Sequence, residues 1–219
     1  MRLFLIVGVV LMQLACSKQS NEPPVLLNAR EYFPLDSASF WQYDVSFITV
    51  DAAVGIFDTL NMQLKMNYRN FDDSLEMHVL DRYIREDSLQ AWSEYDVITA
   101  SWNKLSFHWV ENNLRFVKLT DPILNNKSWN GNSFNILDDW NYYYSNLNTS
   151  FEFNGHSYEE TVRVEKRNVK NVIQEQRAYE IFARYIGSVY EYEADFTYQG
   201  GEIALGNSRE MILTKFGEE

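Results

Sequence analysis

Apolar and polar residues alternate along much of the chain, beginning near residue 40. Between Trp41 and Phe47, aromatic or branched side chains occupy every second position and polar side chains occupy the positions between them. Residues 60–68 and 189–198 repeat this pattern. Because successive side chains of a β-strand point to opposite faces, the period of two predicts strands with one buried and one solvated face. Such clean alternation is typical of antiparallel sheets.

The last of these segments contains a row of carboxylates. Glu191, Glu193 and Asp195 alternate with Tyr190 and Tyr192. The pattern predicts that the tyrosines face the core and that the carboxylates lie on a solvated face. A row of negative charge can also attract a cation or a basic partner, so this alternative stays open.

Turn-forming residues separate the predicted strands. Asn154-Gly155 is the strongest hairpin signal, since both residues tolerate the positive φ of a type I′ turn. Asn112-Asn113 predicts a second hairpin, and Gly200-Gly201 marks a further turn.

Shorter apolar segments complete the predicted secondary structure. Strands are expected at residues 75–85, 89–92, 142–145 and 209–216. Apolar residues at helical spacing predict one short helix at residues 175–186, although a strand is also compatible with that segment. Strand signals at short intervals without alternating helices favour an all-β fold, or a β-rich fold with one short helix. The expected architecture is an antiparallel meander, barrel, half-barrel or sandwich.

The N-terminus carries a signal of a different kind. One basic residue, Arg2, precedes an almost unbroken apolar run over residues 3–14. This run is too short to span a bilayer of about 30 Å, but it suits the apolar region of a signal peptide. The single cysteine, Cys16, follows a small residue directly, and this arrangement resembles a bacterial lipobox, whose cysteine carries diacylglycerol and a fatty acyl chain such as palmitate. Gln13 and Leu14 depart from the usual lipobox, so a plain secretory signal is the alternative.

Three segments are therefore predicted. Residues 1–15 are a signal peptide that is removed, residues 16–29 are a lipidated flexible tether, and residues 30–219 are a single antiparallel β domain. Each buried CH₂ of an acyl chain contributes about 0.8 kcal/mol to membrane binding, so two or more chains would attach the protein to a membrane stably.

Composition narrows the class of partner. The 219 residues include 31 acidic and 19 basic side chains, which give a net charge of -12. A chain of this charge repels a phosphate backbone, so nucleic-acid binding is not expected. One cysteine cannot form a disulfide framework, and an apolar content of 46% predicts a folded core without one.

No catalytic or metal-binding motif is visible in the sequence. His78, His108 and His156 are scattered without metal-ligand spacing, and each is expected at the surface or in a turn. Adjacent carboxylates such as Asp138-Asp139 point to opposite faces of a strand, so they do not form the facing pair that a glycosidase requires. The sequence predicts no catalytic residue, no metal and no cofactor.

Two segments resemble a known family. Residues 32–43 look like the Y-F-P-L-x-x-G-x-x-W-x-Y opening of uncharacterised Bacteroidota lipoproteins, with Ala38 in place of the usual glycine. Residues 179–190, which contain I-G-S-V-Y, resemble the Y-A-x-x-I-G-x-V-Y segment of that family. The resemblance implies a lipocalin-like or Lol-carrier-like β fold and a lipid-anchored position at the outer membrane of the cell envelope, on its periplasmic or surface side. It implies no activity. Trp41 and Tyr43 are interpreted as core anchors of the first strand.

Tryptophans are the candidate ligand-binding residues. They offer stacking platforms for sugars or an apolar lining for a lipid, and filling a β core is the alternative use. The four candidates are Trp92, Trp109, Trp129 and Trp140.

Four hydroxyl residues follow an aspartate and precede an aliphatic residue: Ser37, Thr59, Ser74 and Ser88. This order resembles the sequon at which Bacteroidota O-glycosylate exported proteins. Local hydrogen bonding at turns is the alternative explanation of the same residues.

The sequence thus predicts a membrane-anchored envelope lipoprotein without catalytic activity. Its expected function is that of a binding or assembly module whose protein partner is unidentified. The alternative is a carrier or receptor that holds a lipid or another apolar ligand in a curved sheet.

Overall fold

The structure is a computed structural model that describes residues 26–35 and 39–218. Cys16, the predicted signal peptide, most of the predicted tether and Ser37 lie outside the described residues. Within residues 26–35 and 39–218, no helix is long and apolar enough to cross a membrane.

Twelve antiparallel strands form one sheet. In the order of the sheet they run β6-β5-β4-β3-β2-β1-β12-β11-β10-β9-β8-β7, so strands adjacent in sequence pair with each other except β6 and β7, which form the two edges, and β1 also pairs with β12. The strands are β1 (Ser39–Asp51), β2 (Ile56–Asp72), β3 (Met77–Arg85), β4 (Ser93–Trp102), β5 (Ser106–Glu111), β6 (Leu114–Thr120), β7 (Ser128–Asn130), β8 (Asn141–Phe153), β9 (His156–Lys170), β10 (Gln174–Ala183), β11 (Gly187–Gln199) and β12 (Glu202–Glu218).

The two edges of the sheet meet, so the sheet is a nearly closed barrel. The amide of Val117 in β6 donates to the carbonyl of Gly131 just beyond β7 at 2.9 Å. The indole Nε1 of Trp129 donates to the carbonyl of Val117 at 2.8 Å, and Arg115 forms an isolated bridge with Phe134. The predicted all-β antiparallel barrel is confirmed.

The predicted hairpin turns are also confirmed. Asn112 and Asn113 have φ values of 51° and 62°, and they join β5 to β6. Asn154 and Gly155 have φ values of 46° and 82°, and they join β8 to β9. Positive φ at both central residues is the type I′ geometry, which matches the twist of paired strands.

The helix predicted at residues 175–186 is wrong, because this segment contains β10. β10 pairs with β9 on one side and β11 on the other. Its second half is buried on both faces, so Ile181, Phe182 and Ala183 are consecutive apolar residues without alternation. When consecutive residues are buried, apolar and polar positions no longer alternate with a period of two. The apolar residues of this segment then have the spacing that is typical of a helix.

The strand predicted at residues 89–92 is also wrong. These residues belong to the turn between β3 and β4, where the amide of Gln90 donates to the carbonyl of Asp87. Leu89 is 92% exposed, so its apolar side chain does not mark a buried face.

One end of the barrel, here called the closed end, is filled by the N-terminal segment. A 3₁₀ turn at Ala29–Tyr32 leads into Phe33, whose buried ring lies 4.7 Å from the ring of Phe107 and 5.6 Å from that of Trp41. The last residues of the predicted tether already belong to this folded end, since Leu27 pairs with Ile123 and Ala29 is buried. The folded body therefore begins before residue 30.

The two segments that carry the family resemblance contact each other at the closed end. Trp41 donates from Nε1 to the carbonyl of Ile186 at 2.6 Å, and the Tyr43 hydroxyl donates to the carbonyl of Ser188 at 3.0 Å. Gly187 lies between them with φ of 112°, and a Cβ there would approach Trp41 Nε1 to 3.2 Å. Trp41 and Tyr43 are buried, as predicted for core anchors.

Candidate functional site

The opposite end of the barrel, here called the mouth, contains the candidate site. The closed end is fixed by contacts such as that of Arg30 with the carbonyl of Asn103, in the turn before β5. β5 runs away from that turn and ends at Glu111, beside the Asn112-Asn113 turn. Glu111 therefore lies at the mouth, and it lines a cavity of about 360 Å³.

Charged and aromatic side chains line this cavity together. The charged residues are Glu111, Lys118, Asp138, Lys166, Arg167, Glu191, Glu193 and Arg209. The aromatic residues are Phe116, Trp140 and Tyr142, and Asn132, Leu137 and Ala178 complete the lining. A concave site in which polar groups converge beside aromatic rings is a common ligand-binding arrangement.

The strand register explains why carboxylates point into the barrel. Glu191 is opposite Met211, and Glu193 is opposite Arg209. Residues directly opposite each other in an antiparallel pair share one face of the sheet. Met211 is in turn opposite Val45, which belongs to the inward face of β1 with Tyr43. Both glutamates therefore face the interior.

The predicted solvated face of the 189–198 segment is thus wrong for Glu191, which is buried, whereas Glu193 and Asp195 are exposed as predicted. Tyr190 lies on the outer face instead, where the β8–β9 hairpin covers it with the rings of Phe151 at 5.3 Å and Phe153 at 5.1 Å. Because this hairpin covers the outer face of β11, aromatic residues on that face are buried too. The alternation of apolar and polar residues then no longer shows which face of the strand points into the barrel.

Lys166 occupies the centre of the charged network. Its Nζ lies 2.8 Å from Glu180 Oε2 and 2.5 Å from Glu191 Oε1. The side chains of all three residues are at least nine-tenths buried. A buried ion pair tolerates this loss of water only when hydrogen bonds compensate each charge, and both carboxylates contact a second cation as well.

Those second cations extend the network to either side. Lys118 Nζ lies 3.0 Å from Glu180 Oε2, and the same ammonium is 5.0 Å from the centre of the Trp109 ring. Arg209 Nη2 lies 3.0 Å from Glu191 Oε2 and 3.8 Å from Glu193 Oε2.

Arg82 on β3 forms further ion pairs beside the cavity. The guanidinium of Arg82 contacts Glu111 at 2.7 Å and donates from Nε to Asp96 at 2.6 Å. The side chain of Arg82 is 7% exposed, and it connects Glu111 of the cavity wall to Asp96 of β4. Each cation in the network therefore contacts at least one carboxylate.

Burial and neighbouring charge act in opposite directions on these groups. Burial alone would lower the pKa of Lys166, but Glu180 and Glu191 raise it above its usual value. Burial alone would raise the pKa of Glu191, but Lys166 and Arg209 hold it well below its usual value. Glu191 raises the pKa of Arg209. Lys166, Glu191 and Arg209 are therefore ionised at neutral pH.

Tyr142 adds a neutral donor to the cavity wall. Burial raises the pKa of its phenol to about 12, so the hydroxyl keeps its proton at neutral pH. Its ring lies against Gly131, where any Cβ would collide with it. The close approach requires glycine at that position and fixes the ring of Tyr142 in the wall.

The four candidate tryptophans do not share one surface. Trp140 lines the cavity, and the guanidinium of Arg167 lies 5.0 Å from its ring centre. Trp109 is buried in the interior beneath Lys118. Trp129 packs 4.6 Å from the ring of Tyr144 at the seam between β6 and β7.

Trp92 lies apart from the cavity, in the segment before β4. The guanidinium of Arg85 lies 4.2 Å from its ring centre. Of the predicted stacking residues, only Trp140 combines partial exposure with a place in the cavity wall.

The candidate glycosylation residues in the described part of the chain are exposed. Thr59 lies within β2, Ser74 in the β2–β3 turn and Ser88 in the β3–β4 turn. The Ser74 hydroxyl donates to Asp72 Oδ1 at 2.6 Å, which is the local hydrogen bonding expected of such turns. Glycosylation of these residues stays a prediction.

His108 is buried, so its predicted place at the surface is wrong. Its Nε2 lies 2.7 Å from Asn103 Nδ2 and 2.9 Å from Ser106 Oγ. Burial, with a smaller effect of Arg115, lowers the pKa of its imidazole. Within residues 26–35 and 39–218, no three or more His, Cys, Asp or Glu side chains are placed to hold a metal ion.

Sequence reasoning did not identify the cationic residues of the cavity. One signal was present, since Lys166 continues the alternation of the buried residues Val162 and Val164 along β9. A lysine at the end of an apolar strand face is ordinarily interpreted as a residue whose ammonium group reaches solvent. Its carboxylate partners come from β10 and β11, so local pattern could not reveal them.

No protein-family model matches the chain, and comparisons with curated proteins and with solved structures found no significant match.

Proposed function

We propose that the protein is a non-catalytic binding protein that holds a small, polar ligand in the mouth of its barrel. The observation that carries this proposal is the cavity of about 360 Å³ lined by acidic and basic side chains and aromatic rings. Ligand pockets in proteins typically measure about 300–1,000 Å³. The cavity therefore has room for a small molecule rather than for a protein segment.

The charges in the wall favour a polar ligand over a lipid. An apolar chain in this cavity would remove water from Lys166, Glu191 and Arg209 without replacing its hydrogen bonds. A ligand with its own donors and acceptors replaces those hydrogen bonds directly. The carrier of an apolar ligand is thus less well supported than a receptor for a polar one.

The proposal places the protein on a membrane of the cell envelope through a lipid at Cys16. The apolar run at residues 3–14, the cysteine that follows it and the resemblance to Bacteroidota lipoproteins support this anchor. Among the described residues, Leu27 is the first that pairs with the barrel, and it contacts Ile123 at the closed end. An anchor ten residues before the first described residue would attach at that end, so the mouth would face away from the bilayer. Assembly with another envelope protein stays a prediction.

Native mass spectrometry of the membrane-extracted protein tests this function. Ala178 is buried in the cavity wall, so Ala178→Phe fills the cavity, whereas Ala53→Phe adds the same ring to the exposed β1–β2 turn. We expect a bound polar molecule in the wild-type protein and in Ala53→Phe, its loss in Ala178→Phe, and an acyl mass on Cys16 in all three. Circular dichroism would establish that the variants are folded.

Two results would contradict the proposal. A ligand retained by folded Ala178→Phe would lie outside the cavity. A wild-type protein that contains no small molecule, and that takes up none from a polar extract of the envelope, would have no such receptor function.

A further inference from the structure

We infer that the cavity in the mouth binds a neutral saccharide, with Trp140 as its stacking surface. This inference rests on the proposed function and names the class of ligand. It depends on three features of the cavity: the balance of its charges, the supply of donors and acceptors, and the placement of an aromatic ring.

The charges in the cavity wall cancel. Four cations line it, namely Lys118, Lys166, Arg167 and Arg209, and so do four carboxylates, namely Glu111, Asp138, Glu191 and Glu193. An ionised ligand would bring a net charge into a site without a compensating excess of the opposite sign. Burying such an uncompensated charge is costly. A ligand without net charge avoids this cost.

The ion pairs also restrict what an ionised ligand can contact. Lys166 already lies within 2.8 Å of two carboxylates, and Arg209 lies within 3.8 Å of two. A ligand carboxylate or phosphate would compete with these glutamates for the same cations. A ligand ammonium would compete with the cations for the same glutamates. An anion that displaced Glu191 from Lys166, or an ammonium that displaced Lys166 from Glu191, would break a buried pair, which is strongly unfavourable.

Hydroxyl groups match the hydrogen-bonding capacity that the pairs leave. An ammonium has three N–H donors and a guanidinium has five, while each carboxylate oxygen accepts more than one hydrogen bond. Lys166 contacts two carboxylate oxygens, so it can donate one further hydrogen bond. A sugar hydroxyl both donates and accepts, and it can therefore bridge adjacent acids and bases without disturbing them.

An aromatic ring stands beside these polar groups. Trp140 is partly exposed in the cavity wall, with Tyr142 and Phe116 in the same lining. Arg167 lies over the Trp140 ring at 5.0 Å and restrains its orientation. The apolar C–H face of a pyranose packs on such a ring, while its hydroxyls remain at the edge for polar partners. The cavity volume of about 360 Å³ suits one or two sugar rings.

Isothermal titration calorimetry with two tryptophan variants tests this inference on the folded protein. The titrants are neutral saccharides, namely glucose, galactose, mannose, N-acetylglucosamine, cellobiose and lactose, and three ionised compounds of similar size, namely glucuronate, glutamate and glucose 6-phosphate. Trp140→Ala removes the stacking surface. Trp92→Ala is the matched control, because Trp92 also lies under a guanidinium but stands outside the cavity lining.

We expect at least one neutral saccharide to bind, with an affinity that changes little between low and high salt because no net charge is transferred. Trp140→Ala should weaken this binding about tenfold or more. Trp92→Ala should leave it unchanged.

Three outcomes would overturn the inference, and they differ in what else they affect. Binding of an ionised compound in preference to every neutral saccharide would leave the cavity as a receptor but reject the saccharide. Equal saccharide affinity in Trp140→Ala and Trp92→Ala would reject the stacking surface. Failure of every titrant, together with native spectra that contain no bound molecule, would reject the proposed function as well.

Discussion

The two ends of the barrel use the same strands for opposite purposes. On β12, the inward residue nearer the closed end is Leu213, the next is Met211, and the next toward the mouth is Arg209. On β9 the sequence of inward residues is Val162, Val164 and then Lys166. The polarity of the interior thus changes from apolar to charged over two or three positions of a single strand.

The difference shows how the barrel holds a charged cavity. The closed end contains stacked and edge-on contacts of Phe33 with Trp41, Phe107 and Trp109, and burial of large aromatic rings is strongly stabilising. The buried ion pairs of the mouth contribute little net stability, because desolvation opposes their attraction. The aromatic end is therefore expected to contribute more to the stability of the fold than the charged mouth does.

The largest predicted effect contrasts one tryptophan from each end. Trp41→Ala should lower the free energy of unfolding by about 3–5 kcal/mol, since it empties a buried site and removes the hydrogen bond to Ile186. Trp140→Ala should lower it by about 1 kcal/mol or less, because this ring is partly exposed. Urea unfolding followed by circular dichroism measures both. Similar losses of unfolding free energy at the two positions would contradict the expected difference between the two ends of the barrel.

Removal of the central cation of the mouth should have the next largest effect. Lys166→Met leaves Glu180 and Glu191 close together in a buried site, and it should cost about 3 kcal/mol. Replacing Glu191 by Met in the same chain should recover part of this loss, so a double-mutant cycle should show coupling of about 1–3 kcal/mol. Additive losses would mean that the pair is not coupled in solution.

A glycine substitution tests the contact between the two family-like segments. Gly187→Ala should cost about 2 kcal/mol, because it combines a φ of 112° with the approach to Trp41. Gly155→Ala is the matched control, with φ of 82° and no atom within 4 Å of the added Cβ, and it should cost about 1 kcal/mol. Equal losses of unfolding free energy would show that the closed end accommodates the methyl group.

The smallest predicted effect concerns pH. The pKa of His108 is lowered in the folded state by burial, so the unfolded chain binds its proton first as the pH falls. Its contribution to stability is complete above the ordinary histidine pKa of about 6.5 and is lost as the pH falls below that value toward the lower pKa of the folded state. Replacing His108 by Gln should therefore flatten the decline in unfolding free energy below about pH 6.5.

Glu191 acts in a separate range and serves as the comparison for His108. Its pKa is held low in the folded state by Lys166 and Arg209, so its contribution is lost only as the pH falls below the ordinary glutamate value of about 4.3. An unchanged pH profile in His108→Gln above about pH 5 would mean that the imidazole is not buried in its neutral form.

The sequence predicted the fold better than it predicted the site. Alternation identified β1 and β2, and the asparagine and glycine turns identified the hairpins, because both signals act within a few residues. Alternation failed to identify β10, which is buried on both faces near its end. It also gave the wrong orientation for β11, whose outer face is covered by the β8–β9 hairpin. Those coverings are tertiary and leave no local pattern.

At the candidate site, the sequence identified Trp140 but none of the ion pairs. An isolated cation such as Lys118 or Arg209 has the same local pattern whether it is solvated or buried. Its burial is settled by a partner on another strand, which is Glu180 for Lys118 and Glu191 for Arg209.

Nitrogen-15 NMR of the tryptophan indoles gives the most direct test of a polar ligand site confined to the mouth. The chain has six tryptophans, so each indole N–H gives its own signal, and single substitutions assign them. Addition of the co-purified ligand, or of the saccharide selected by calorimetry, should shift the signal of Trp140 and leave those of Trp41 and Trp102 at the closed end unchanged. A shift at Trp41 or Trp102 with none at Trp140 would contradict the account.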